Sequence, residues 1–370
     1  MPHDPYKALY IHLPFCKHRC AYCDFTTRAI APDSVEIDEY IDNLILELRR
    51  KANEGELAEI ETVYLGGGTP SFVGQARLSK LLYALGVSMN LTPEVECSME
   101  ANPDSLTPEL IRDIYALGVN RLSIGVQSFD DGLLRTLDRI HDSARAKQAV
   151  LDARERFENV SVDLMCGVPG QTPEMFEADV QTAVDLGVTH VSVYPLTIED
   201  HTLFRRMVDL GEIDDVDQDK EALMMSMAPN VLTPAGFHRY EVASYAREGF
   251  ECKHNIAYWT GVPYLGLGIS AVTMTQNDAR RMRVQDGEVQ DDLDRKQMCA
   301  EDLMMKMRMT RGVSDDELFA AAVVIPGALD VFNSLVRDKL VKREDGRWKP
   351  TFGGWLLGNE LYGRIYELAP

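Results

Sequence analysis

Six short β-rich runs alternate with helical segments along the first half of the chain, and no other feature restricts its fold as much. Residues 8–13, 61–65, 94–100, 120–126, 160–164 and 190–194 read as strands, and residues 34–52, 79–85, 108–117, 144–156 and 173–186 as helices. In the first helix Ile37, Ile41, Leu44, Ile45 and Leu48 fall on one face. Glycines at 86, 118 and 187 supply helix stops. Strand-then-helix units in series predict a parallel sheet with helical crossovers, and curling into a barrel protects its edges. The expected fold class is α/β, a partial (β/α)6 TIM-like barrel with a C-terminal α+β extension. Chemistry in such barrels gathers at the C-terminal ends of the strands.

A chain of 370 residues exceeds one typical compact domain. Three regions are expected: a barrel over 1–235, a connecting segment over 236–309, and a winged-helix-like module over 310–370. The later elements read as a helix at 217–228, a strand at 238–245 and a helix at 293–309. The last region reads as helices at 315–322 and 329–338, a hairpin at 340–349 and a final helix at 354–368. That module holds eight Arg and Lys against nine Asp and Glu, so it lacks the basic footprint of a DNA reader and is read as a packing or docking platform. The whole chain carries a net charge of -21, which repels phosphate backbones and argues against nucleic acid as a partner. The segment Met1–Lys7 is polar and begins no leader, and no run approaches the roughly 20 apolar residues of a transmembrane segment. A cytoplasmic protein is expected.

Of seven cysteines, Cys16, Cys20 and Cys23 sit in a loop directly after the first strand, spaced C-x3-C-x2-C. The other four are scattered and read as small buried hydrophobes. Three thiolates can anchor three irons of a [4Fe-4S] cubane and leave the fourth iron open, as a catalytic site requires. The open iron would take the amino and carboxylate groups of S-adenosylmethionine, poised for one-electron cleavage to a deoxyadenosyl radical. A zinc site completed by His12 or His18 is the alternative on ligand type.

Further candidates lie at the following strand ends. Leu65-Gly66-Gly67-Gly68-Thr69-Pro70 offers backbone amides unobstructed by Cβ atoms, a cradle for the methionyl amino group. Glu100, in Glu100-Ala101-Asn102-Pro103, is a carboxylate for a ribose or ammonium group. Gln127 offers an amide, Asp163 a contact to a second ligand, and Arg139 a carboxylate or phosphate clamp.

Tyr10-Ile11-His12-Leu13-Pro14-Phe15-Cys16, the glycine run, Glu100-Ala101-Asn102-Pro103 and Gly125-Val126-Gln127-Ser128-Phe129 together resemble the oxygen-independent coproporphyrinogen III oxidase family of radical S-adenosylmethionine (SAM) proteins. The resemblance implies that Tyr10, Tyr22, Gly67, Gly68, Thr69, Glu100, Gln127, Arg139 and Asp163 contact S-adenosylmethionine or a neighbouring ligand. The oxidase itself carries a further cysteine two positions after its triad, where this chain has Phe25. The chain is more similar to the haem chaperones of the family, whose His-Asn-x-x-Tyr-Trp motif matches His254, Asn255, Tyr258 and Trp259. That implies haem as a ligand, with the His254 imidazole for its iron and Tyr258 and Trp259 as flat faces for the porphyrin. It also implies haem-accepting membrane or respiratory proteins as partners, with peripheral membrane contact through them. Rival readings are the oxidase reaction, a radical methyltransferase or haem-degrading enzyme, and a zinc-dependent interaction protein.

Overall fold

In the computed structural model, which describes residues 3–89, 92 and 94–370, one twelve-stranded sheet runs through most of the chain. Met1 and Pro2, the start of the polar N-terminal segment, lie outside the described residues. Six parallel strands form its centre: β1 (Ala8–Leu13), β2 (Thr62–Gly67), β3 (Glu96–Ala101), β4 (Arg121–Gln127), β5 (Asn159–Cys166) and β6 (His190–Pro195). Helices Val35–Asn53, Gln75–Ser88, Pro108–Ala116, Ser143–Arg154 and Pro173–Asp185 cross between them; the second is longer than the expected 79–85 and runs through Gly86, which does not stop it.

Strand alternation explains why this sheet curls around a polar interior. Leu9, Ile11, Val63, Leu65, Cys97, Met99, Leu122, Ile124, Val160, Val162, Val191 and Val193 belong to the continuous apolar core packed with the helices. The alternate positions carry Tyr10, Tyr64, Glu96, Ser98, Glu100, Arg121, Ser123, Ser161, Asp163, His190 and Ser192. Successive side chains of a strand point to opposite faces, so one face builds the hydrophobic layer and the other a polar lumen.

The sheet is larger than the sequence predicts. The region 238–245 is a hairpin, not one strand: β7 (His238–Arg239) pairs antiparallel with β8 (Ser244–Ala246), which pairs with β6. The chain must reverse between them because Ala243 O accepts from Val193 N while Tyr245 faces Arg239. β9 (Tyr264–Leu267) adds a seventh parallel strand beside β1, followed by the antiparallel β10 (Val272–Asn277), β11 (Arg280–Gln285) and β12 (Glu288–Asp294). The helix expected from Leu293 therefore starts at Arg295, with Asp294 closing a capping box against Gln297.

In the last sixty residues, helices Asp315–Val324 and Ala328–Arg337 pack with a three-stranded sheet of Val313–Ser314, Arg347–Pro350 and Val341–Glu344. Their core, with Phe332, Leu335, Trp348, Leu361 and Ile365, also takes in Leu303 and Met307. The expected single helix over 354–368 is two, Phe352–Leu356 and Gly358–Tyr366. Three glycines within six residues weaken helix continuity there, and the chain breaks at Leu357.

Candidate functional site

The cysteine loop is closed at its base by a short parallel pair, Phe15–Cys16 with Arg28–Ala29. Arg28 N donates to Pro14 O and Ile30 N to Cys16 O, so residues 17–27 are held as one loop over the mouth of the lumen. All three cysteines are free; Cys16 is buried and Cys20 and Cys23 are half-buried. Burial pushes the Cys16 thiol up to about 11, with the Thr69 hydroxyl opposing that shift. Without metal the thiol is therefore neutral near pH 7.

Two sulfurs have donors aimed at them. Thr69 Oγ1 lies 3.4 Å from Cys16 Sγ, and Arg139 Nη1 donates to Cys20 Sγ at 3.4 Å. Three thiolates, two of them with hydrogen-bond donors, fit a cubane with one open iron. The imidazoles needed for the zinc alternative are otherwise engaged. His12 contacts Thr26 O through Nε2 at 3.0 Å and Tyr10 Oη through Nδ1 at 2.9 Å, while His18 pairs with Asp138 at 2.6 Å. A carbonyl only accepts, so His12 Nε2 carries the proton and Tyr10 donates to Nδ1.

The amides of the glycine run are already engaged. The amide of Gly67 donates to Glu100 Oε2 (3.1 Å), that of Gly68 to Leu13 O (2.9 Å) and that of Thr69 to Phe15 O (2.8 Å). These amides are engaged inside the protein, and an ammonium group needs acceptors in any case. The glycines serve close packing instead. A Cβ on Gly67, which has φ of 111°, would come within 2.4 Å of the His12 ring, and one on Gly68 within 2.8 Å of Phe15 O.

Around this mouth the structure gathers Tyr22, Gln127 and Arg139. Arg139 is half-buried and donates to Gly125 O at 2.7 Å and Asn102 Oδ1 at 2.9 Å. Gln127 ends β4 in the left-handed region, φ 69°, where the pairing register with β5 shifts. That twist brings its side chain back over Gly125, whose Cβ would meet Gln127 Nε2 at 3.0 Å. Deeper in the lumen, Glu100 accepts from Tyr64 Oη at 3.0 Å, and burial pushes its carboxyl up to about 7. Asp163 accepts from Ser123 Oγ through both oxygens at 3.1 Å and is raised by the same cause.

The His-Asn-x-x-Tyr-Trp residues lie at the other end. Helix Lys253–Trp259 closes the lumen floor, held by Glu96, whose carboxylate accepts from Lys253 N and His254 N at 3.0 Å. His254 is only 1% exposed. Its ring stacks on Tyr64 with centroids 5.1 Å apart, its Nδ1 contacts Thr62 Oγ1 at 2.9 Å, and its Nε2 is buried without a partner. Desolvation pushes this imidazole down to about 3, so it is neutral. Tyr258 covers His254 edge-on at 4.9 Å and in turn meets Tyr264 at 4.6 Å. Trp259 turns away, donating to Glu241 Oε2 at 3.2 Å with Arg308 over its ring.

Tyr258 and Tyr264 form a shared wall between two cavities. One, of about 350 Å³, is lined by Tyr10, His12, Phe25, Ser270 and Val272; the other, of about 290 Å³, by Met274, Arg283 and Met305. Trp259 lines neither. Tyr64, Asn102 and Tyr264 were assigned no role from sequence. Tyr64 was findable as an aromatic on the lumen face of β2, two positions before the glycine run.

Residues 10–183 match the Radical SAM superfamily. The chain is 33% identical to the heme chaperone HemW of Bacillus subtilis over 380 residues, spanning 96% of this chain and 98% of that protein. The chain belongs to the HemW family. HemW of Escherichia coli is 37% identical over 72% of this chain and 70% of its own length, and HemW of Mycobacterium tuberculosis 41% identical over 73% and 70%. The fold is that of the coproporphyrinogen III oxidase HemN of Escherichia coli, with TM-score 0.80 and 21% identity over 98% of this chain and 90% of that one. Membership of the radical SAM superfamily implies a [4Fe-4S] cluster and S-adenosylmethionine as the cofactors of this HemW-family chain.

Proposed function

We propose that this protein is a haem chaperone that binds haem beside a radical SAM centre and passes it to haem-dependent proteins. The observation that carries the reading is the tyrosine wall. Tyr258 stands between an aromatic cleft, bounded by Tyr10, Phe25 and Tyr264, and a buried neutral imidazole whose Nε2 has no partner. A porphyrin is a large flat apolar plate, and aromatic walls bind such plates face or edge on. Neutral imidazole nitrogen is the form that ligates iron. His254 is covered, so iron ligation requires Tyr258 to swing away from it; the cleft supplies the space.

At the mouth, Cys16, Cys20 and Cys23 would hold the cluster, which supplies one-electron reduction of bound S-adenosylmethionine. Arg139, with two of its nitrogens already engaged, and Gln127 face the same opening and would orient the carboxylate and adenosyl parts of that ligand. Tyr10 stands at the boundary, on the cleft and within the lumen, and so would sense both ligands. Among the described residues no helix is long and apolar enough to cross a membrane, so haem-accepting membrane or respiratory proteins would be met through surface docking.

The test is an absorbance titration of the anaerobically reconstituted protein with haem, beside His254→Ala. Saturable, near-stoichiometric binding that the substitution weakens supports the chaperone. Weak binding indifferent to it, with protoporphyrinogen formed from coproporphyrinogen, would assign the oxidase reaction instead.

A further inference from the structure

Two of the three cysteines are joined by a hydrogen-bond relay through a side chain with no role so far, Asn102. Arg139 donates through Nη1 to Cys20 Sγ and through Nη2 to Asn102 Oδ1. Asn102 donates through Nδ2 to Thr69 Oγ1 at 3.1 Å, and Thr69 Oγ1 lies against Cys16 Sγ. A guanidinium has no acceptor, so the atom of Asn102 that faces Arg139 must be the carbonyl oxygen, and the NH2 group must face Thr69. The Thr69 oxygen therefore accepts from Asn102, which leaves its single hydrogen for the Cys16 sulfur. Asn102 is itself fixed: its amide donates to Ser71 Oγ at 3.1 Å, and Gly125 leaves room for Oδ1, which any Cβ there would approach to 3.1 Å.

We propose that Asn102 is a positioning residue that directs one O–H···S and one N–H···S bond onto the thiolates of the cluster and thereby raises its reduction potential. Donors to a thiolate draw charge out of the iron–sulfur core and favour its reduced form. The proposal rests on the cluster reading above.

Asn102→Asp is nearly isosteric, but a carboxylate only accepts. The Thr69 hydroxyl then turns toward it and leaves Cys16, while Arg139 keeps its partner. Because the aspartate also adds charge, Thr69→Val serves as a neutral variant that removes the same O–H···S bond, and Thr69→Ser as one that keeps it. The full-length protein is reconstituted anaerobically, assayed for iron and acid-labile sulfide, and titrated electrochemically with the reduced cluster followed by electron paramagnetic resonance. The potential should move negative in Thr69→Val and Asn102→Asp and hold in Thr69→Ser. Asn102→Asp should shift it less in the Thr69→Val background than in the unaltered chain. Equal potentials in the Val and Ser variants overturn the relay even where Asn102→Asp takes up no iron. An unaltered chain that assembles neither iron nor sulfide overturns the cluster reading, and the proposal with it.

Discussion

Tyr64 stacks on His254 at 5.1 Å and gives its hydroxyl hydrogen to Glu100, so a single side chain joins the lumen floor to a carboxylate deep inside it. The proposed haem ligand and the carboxylate nearest the glycine run are thus neighbours of one ring, although 154 positions separate them in the sequence.

His254→Ala should weaken haem binding by at least about tenfold, the loss of one good ligand contact. The affinity of the unaltered chain should stay flat from pH 8 to pH 5, because the imidazole is held neutral down to about 3 and no proton competes with iron in that window. Parallel haem titrations at both pH values check this; a fall centred near 6.5 would mean that the ring is solvated.

Stability should decline as pH rises from about 4.5 to about 7, through Glu100. Its folded-state value is raised, so the folded chain holds a proton that the unfolded chain releases over this window, and the loss levels off above it. Glu100→Gln should remove a slope worth about 3 kcal/mol. Urea denaturation of both proteins at pH 5 and pH 8 measures the difference, and identical slopes would contradict it.

Glu301 holds two arginines. It accepts from Arg281 Nη1 at 2.5 Å and from Arg283 Nη1 and Nη2 at 2.9 Å, with Arg281 only 2% exposed. Glu301→Ala leaves these guanidiniums undercompensated and should cost about 3–5 kcal/mol, read as a lower denaturation midpoint.

Cys20→Ala removes one thiolate and one of the acceptors of Arg139, that of Nη1. Iron, acid-labile sulfide and S-adenosylmethionine cleavage should vanish together. Cleavage that survives would separate the reaction from the cluster.

The six central strands were legible because one face of each is apolar and the helices between them repeat with the right period. The meander after Tyr264 was not, since Arg280–Gln285 is mostly polar and half-buried, Glu288–Asp294 is polar and largely exposed, and neither carries core alternation. Its turn was nonetheless written in the chain: Asp286 and Gly287 both have positive φ, 49° and 84°, the signature of a tight hairpin. The cysteine spacing marked the loop proposed to hold the cluster. The glycine run was ambiguous, because sequence shows that a Cβ is missing but not which atom needs the space, here the His12 ring and Phe15 O. Nor could spacing reveal that His254 sits behind Tyr258, since burial depends on a lumen assembled from strands far away.

The carboxylate that anchors the floor helix has a second suitor. Glu96 grips the amides of Lys253 and His254, and nearby lies Arg121, 2% exposed, with its Nε unpartnered. Were the floor helix to lift, Glu96 would still face the Arg121 guanidinium and would not be stranded in an apolar interior. The motif can therefore detach at a smaller electrostatic penalty than its burial implies, which suits a carrier that must let go of what it holds.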